Sequence, residues 1–94
     1  MPVLPEEQVD RALAEDLSAW SRSGDAITRT VKAPSFMDGI TLVRRVAEVA
    51  ETMNHHPDID IRYTSLTFTL STHSEGGVTT KDLDLARRID DLAS

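Results

Sequence analysis

The sequence predicts a two-layer α+β domain, a four-stranded antiparallel sheet with helices packed on one face. Apolar and polar residues alternate in short runs around 27–32, 59–63 and 66–71, the mark of half-buried strands. Apolar residues recur at helical spacing after Pro5, Ser35 and Thr79. Strand pairs separated by helices give the order helix, two strands, long helix, two strands, helix, which belongs to α+β architecture. The 94 residues fit a single domain over 1–94 with a small core.

Pro5, followed by Glu6, Glu7 and Gln8, opens the first helix with proline in the first turn and acids near the positive dipole end. Val9, Ala12, Leu13 and Leu17 place its apolar stripe over about 5–16. Ser23-Gly24-Asp25 reads as a turn, and Ile27, Arg29 and Val31 then alternate with Thr28, Thr30 and Lys32 on a strand whose apolar face is imperfect. Ser35 and Asp38 have capping-box spacing before the strongest helix of the chain. Phe36, Ile40, Val43, Ala47 and Ala50 form its stripe, widened by Leu42, Val46, Val49 and Met53. Pro57 ends that helix, because the residue before a proline is pushed into extended backbone.

Ile59, Ile61 and Tyr63, then Leu66, Phe68 and Leu70, alternate on either side of Thr64-Ser65, which predicts a hairpin. Continued parity puts His73 with Thr67, Thr69 and Ser71 on the polar face, at the end of the strand. Glu75-Gly76-Gly77 is a loop, and Thr79 to Asp82 opens a last helix with Leu85, Ala86, Ile89 and Leu92 inward. The threonine-rich face of the sheet is expected to meet water or a partner subunit.

The formal net charge of −6 argues against non-specific nucleic-acid binding, which needs a basic footprint. Without cysteine there are no disulfides or thiolate metal sites. No apolar run approaches the roughly 20 residues of a membrane span, and the start lacks the features of a signal peptide. A soluble cytoplasmic protein is expected.

The three histidines form a doublet, His55-His56, and a singlet, His73, seventeen residues beyond the doublet. Imidazole is the side chain whose unperturbed pKa lies nearest neutrality, so three readings compete. Zinc held by three imidazoles with an open position is disfavoured, because adjacent side chains in extended backbone point to opposite sides. A structural role suits His55, at the negative end of a helix dipole, but leaves His73 without a purpose. A catalytic pocket where the helix exit meets the strand end uses both clusters. On spacing alone the structural and catalytic readings stay open.

The run Glu51-Thr52-Met53-Asn54-His55-His56-Pro57, then Tyr63, Thr72-His73, Gly77-Val78-Thr79 and Asp82 resembles the signature of the pterin-4a-carbinolamine dehydratases. The resemblance is close over 51–86 and looser at Trp20 and Phe36. It implies the same fold, a homodimer or homotetramer, and dehydration of 4a-hydroxytetrahydropterin to quinonoid dihydropterin in tetrahydrobiopterin recycling, with no metal or bound cofactor. By resemblance His55 and His73 are the acid/base groups and His56 orients the pterin. Asn54, Ser71, Thr72 and Ser74 help bind it, with Glu51, Pro57 and Asp82 in support. Asp82 also stands three residues after Thr79, where a capping role accounts for it equally well. Tyr63 and Trp20 are expected to be packing residues. The pattern departs at Ile59, where the family commonly has a tryptophan able to stack on the substrate, which opens a third reading, an enzyme for another hydrated heterocycle. The family's second implied role, as dimerisation partner of transcription factors, makes a non-enzymatic interaction module the main alternative.

Overall fold

A computed structural model describes residues 2–94. The order is α1 (Glu6–Asp16), β1 (Ser21–Ser23), β2 (Ala26–Lys32), α2 (Phe36–Met53), β3 (Asp58–Arg62), β4 (Ser65–Leu70) and α3 (Thr80–Ala93). The strands form one antiparallel sheet in the order β1-β2-β4-β3, and α2 and α3 pack against each other over it. The expected two-layer α+β class is the observed one.

The period-2 pattern explains the layering. Ile27 and Val31 of β2 and Leu66, Phe68 and Leu70 of β4 are buried beneath the helices. Their alternates meet on the opposite face, where Thr28 pairs with Thr69 and Thr30 with Thr67 through hydroxyl contacts of 3.3 and 2.8 Å. The imperfection in β2's apolar face is Arg29, whose guanidinium meets Asp90 of α3. Asp90 also accepts a 2.8 Å hydrogen bond from the indole nitrogen of Trp20. Trp20 is thus the packing residue expected, with its one polar atom satisfied.

Helix α1 begins with Pro5 at its N-cap and buries Val9 and Leu13. Gly24, with φ of 59°, makes the tight β1–β2 turn that a side chain would disfavour. Helix α2 differs from expectation in the face it buries. Gly39, Leu42, Val46 and Ala50 turn inward, whereas Phe36 and Ala47 are exposed. The apolar positions are numerous enough to draw more than one stripe, and Gly39 decides between them. A Cβ there would stand 3.4 Å from Ala33 and 3.5 Å from Leu66, so the backbone itself approaches the sheet along that line.

The hairpin turn lies one residue earlier than expected. Arg62 pairs with Ser65, so Tyr63-Thr64 make the turn, with Tyr63 at φ of 51°. A turn at Thr64-Ser65 would pair Tyr63 with Leu66; the actual register pairs Ile61 with Leu66. That is a slip of two, which leaves the same residues facing the core. Thr64 is buried, and its carbonyl accepts the Ala33 N–H at 2.8 Å, docking the turn on the β2–α2 connection. Tyr63 is therefore no core residue: it is exposed and stacks on Phe36, with ring centroids 6.5 Å apart.

Candidate active site

The site is assembled where three chain segments end. Helix α2 stops in a Schellman-type arrangement: Asn54 N–H reaches the Glu51 carbonyl at 3.1 Å and His55 N–H the Ala50 carbonyl at 3.0 Å. That closure needs a left-handed residue, and Asn54 takes φ of 49°, a conformation that asparagine tolerates better than most side chains. The sharp exit delivers His55 inward and His56 outward, before Pro57 leads into β3.

Beyond β4, Thr72 pairs with Gly77 in a one-residue bridge, and residues 73–76 form the turn between them. His73 is therefore placed by a turn and does not continue the strand's parity. It is exposed, as expected of the end of the hairpin. The third segment is the N-terminus of α3, where Thr79 and Asp82 form a complete capping box.

These ends meet at one buried carboxylate. Asp82 is fully buried. Its Oδ1 accepts from His55 Nε2 at 2.5 Å, while its Oδ2 accepts from the Thr72 hydroxyl and the Thr79 N–H, both at 2.9 Å. Thr72 and Thr79 hydroxyls are 2.8 Å apart. Each hydroxyl has one proton to donate, so Thr72 donates to Asp82, Thr79 to Thr72, and the Lys81 N–H to Thr79. Among the described residues no buried side-chain nitrogen or oxygen lacks a partner, and such a satisfied network holds its members in place. The capping reading of Asp82 is the observed one, and the same carboxylate also holds His55.

In front of this cluster lies a pocket of about 350 Å³, at the small end of the roughly 300–1,000 Å³ usual for ligand sites. Asn54, His55 and His56 wall it from the exit of α2, and Ser71, Thr72, His73 and Ser74 from the end of the hairpin, with Lys81 from α3. All three histidines and the four expected binding residues are thus brought together. The donor protons of Ser71 and Thr72 are engaged, with the Asp25 carbonyl and with Asp82, which leaves the side chains of Asn54 and Ser74 facing the pocket without such a commitment. Glu51 and Pro57 lie outside the wall; Glu51 is exposed and accepts from His56 Nε2.

Ile59 does not reach the pocket. It pairs with Phe68 and packs half-buried against the core. Lys81 and Thr79 were not among the expected site residues. For Lys81 the signal lies in its place: a cation in the first turn of a helix opposes the dipole. Among the described residues no cluster of three or more metal-ligating side chains is present. A larger hollow of about 600 Å³ opens between residues 31–34, the first half of α2 and the end of α3. It holds no histidine, and the charges on its rim, Lys32, Asp38 and Arg45, are exposed. The histidine pocket is where titratable groups converge.

Fold and pocket together define a small α+β domain with three imidazoles lining one pocket, one of them seated on a buried carboxylate. The model of one family, described as pterin 4 alpha carbinolamine dehydratase, matches residues 2–92. The chain belongs to this family. Relatives named provisionally as pterin-4-alpha-carbinolamine dehydratases include one from Nocardia farcinica (strain IFM 10152), 62% identical over 97% of this chain and 95% of its own length. Another, from Mycobacterium sp. (strain KMS), is 59% identical over 98% and 97%. A solved transcriptional coactivator/pterin dehydratase from Brucella melitensis superposes with a TM-score of 0.91 at 35% identity, covering 98% of this chain and 99% of that one. A pterin dehydratase-like RuBisCO assembly factor of the alpha-carboxysome shares the fold, with a TM-score of 0.67 at 18% identity over 80% and 87% of the two chains.

Proposed function

We propose that the chain dehydrates 4a-hydroxytetrahydropterin to quinonoid dihydropterin by general acid/base catalysis, as a cytoplasmic step of tetrahydrobiopterin recycling. One observation carries the reading: His55, His56 and His73 converge on a single pocket, with His55 seated on the buried Asp82. Family membership supports the substrate class.

The chemistry needs two proton transfers. The C4a–O bond breaks as the N5 lone pair forms the C4a–N5 double bond; the departing hydroxide takes up a proton, and N5 loses one. The site gives one proton and receives one, so it is unchanged in total. His55 is assigned to receive the N5 proton. Its Nε2 is held by Asp82, which fixes the tautomer, leaves Nδ1 for the substrate and compensates the charge that develops on the ring. His73, exposed on its turn, supplies the proton to the hydroxyl and is recharged from water. His56, with Asn54 and Ser74, orients the pterin ring.

The test follows decay of 4a-hydroxytetrahydropterin, generated by a hydroxylase, with wild type, His55→Ala and His73→Ala. Wild type should accelerate it, and each folded variant should lose roughly 10²–10⁴-fold, the usual worth of a placed acid or base. A spontaneous rate with folded wild-type protein rejects the reading.

A second reading, a protein-interaction module, is favoured by a separate observation. Phe36, Met37, Ile61 and Tyr63 are exposed apolar side chains, grouped where the start of α2 meets the outer edge of the sheet at β3. An apolar patch beside a free strand edge is a place for association, and it supports a homodimer or homotetramer through that edge. Sedimentation of wild type against Ile61→Lys tests it: assembly lost in the variant supports the surface, and a monomeric wild type rejects it.

A further inference from the structure

The histidine pocket has an electrical character unlike the rest of the chain. The protein carries 16 acidic against 10 basic residues, yet the residues that line the pocket include no acid and do include a lysine, Lys81. The two carboxylates that hydrogen-bond to side chains of the wall, on His55, Thr72 and His56, are already engaged. Asp82 is fully buried with both oxygens hydrogen-bonded, and Glu51 accepts from His56. Lys81 makes no ion pair among the described residues. It also stands in the first turn of α3, where the dipole disfavours a cation. The chain thus keeps a positive charge at a place where local helix energetics oppose it, facing a cleft that focuses its field.

We infer that the pocket prefers a pterin whose side chain carries a phosphate, and that Lys81 is the residue that reads this charge. The inference rests on the dehydratase reading and adds to it a substrate class. In a pterin, C6 is bonded to N5, the atom that must give up its proton. A substituent on C6 therefore starts one bond from the reacting centre and stays within the same small pocket once the histidines hold C4a and N5. Lys81 belongs to the part of the wall that α3 supplies, on a flexible stem that lets its ammonium follow a charged group. It contacts the side chain and none of the reacting atoms, so its effect falls on affinity and leaves the chemical step alone.

The test is calorimetric titration with two stable compounds, a 7,8-dihydropterin bearing a trihydroxypropyl side chain and the same compound phosphorylated on its terminal hydroxyl. Wild type should bind the phosphorylated compound about fivefold more tightly at low salt, the scale of one solvated ion pair. The preference should shrink at about 0.5 M salt, where such pairs are screened. It should vanish in Lys81→Ala, with unchanged affinity for the unphosphorylated compound, and persist in Lys81→Arg. With substrate, Lys81→Ala should raise KM for the phosphorylated form and leave kcat in place. Equal binding of both compounds by wild type, or a preference that survives in Lys81→Ala, overturns this inference alone. Failure of both compounds to bind folded wild-type protein overturns it together with the dehydratase reading.

Discussion

His55 and Asp82, twenty-seven residues apart in sequence, meet at 2.5 Å inside the protein, and the other oxygen of the same carboxylate caps α3. One side chain therefore starts a helix and seats a histidine. Asp82→Ala should lower unfolding stability by about 2–4 kcal/mol, since it removes a cap and strands the Thr72 hydroxyl and the His55 N–H. Thr79→Ala, which keeps the carboxylate, should cost about half as much. Urea denaturation decides it, and a loss under about 1 kcal/mol for Asp82→Ala refutes the shared role.

Asn54 separates a backbone role from a binding one. Asn54→Ala forces a Cβ-bearing residue without asparagine's tolerance into left-handed backbone and should cost about 1 kcal/mol. Asn54→Gly should hold or raise stability while losing whatever the amide contributes to ligand binding. Equal melting temperatures for the two variants would contradict the left-handed cap.

The His56–Glu51 pair lies in the open, with side-chain exposures of 55% and 76%. Glu51→Gln should therefore move stability by less than about 0.5 kcal/mol. A thermal shift of many degrees would show that this pair holds the end of α2, which its exposure argues against.

Asp90 serves two donors, Trp20 from the α1–β1 connection and Arg29 from β2. Asp90→Ala leaves both without their acceptor and should cost about 2 kcal/mol; Arg29→Ala, which leaves the indole bond intact, should cost less. The order of the two losses in denaturant titrations is the check, and the reverse order would count against the shared acceptor.

Arg22 beside Asp10 holds that carboxyl below its ordinary value of 3.8. A carboxylate whose pKa is depressed by folding stabilises above its unfolded pKa, and that stabilisation is lost as pH falls through the folded value. Asp10→Asn should thus be less stable than wild type near neutrality. The two stability curves should converge as pH drops below the ordinary carboxylate range. A difference that persists in strong acid would assign the effect to something other than ionisation.

Much of this molecule is legible in its residue order, and the exceptions have physical reasons. Strands whose apolar and polar residues alternate declare their inner face, as Leu66, Phe68 and Leu70 do. A slip of two in the hairpin does not alter it, which is why the face was readable and the turn was not. Tyr63 in left-handed backbone is held there by docking of Thr64 and stacking on Phe36, neither of them local in sequence. Helix α2 hides its inner stripe because it is apolar over too much of its girth; only the close approach at Gly39 picks the line. At the pocket, the two histidine clusters were readable as candidates to meet, while Asp82 entered through the family resemblance and its capping distance from Thr79. The hydroxyl chain through Thr79 and the entry of Lys81 depend on three segment ends meeting in space, which spacing along the chain does not express.

The only tryptophan of the chain is buried, and its indole N–H is tied to the last helix through Asp90. Its fluorescence consequently reports whether α3 is docked. Undocking the helix frees the ring to water and shifts the emission to the red. Every histidine or lysine variant of the pocket can thus be tested for an intact fold by its own intrinsic light, without a label, in the same cuvette in which a ligand is added.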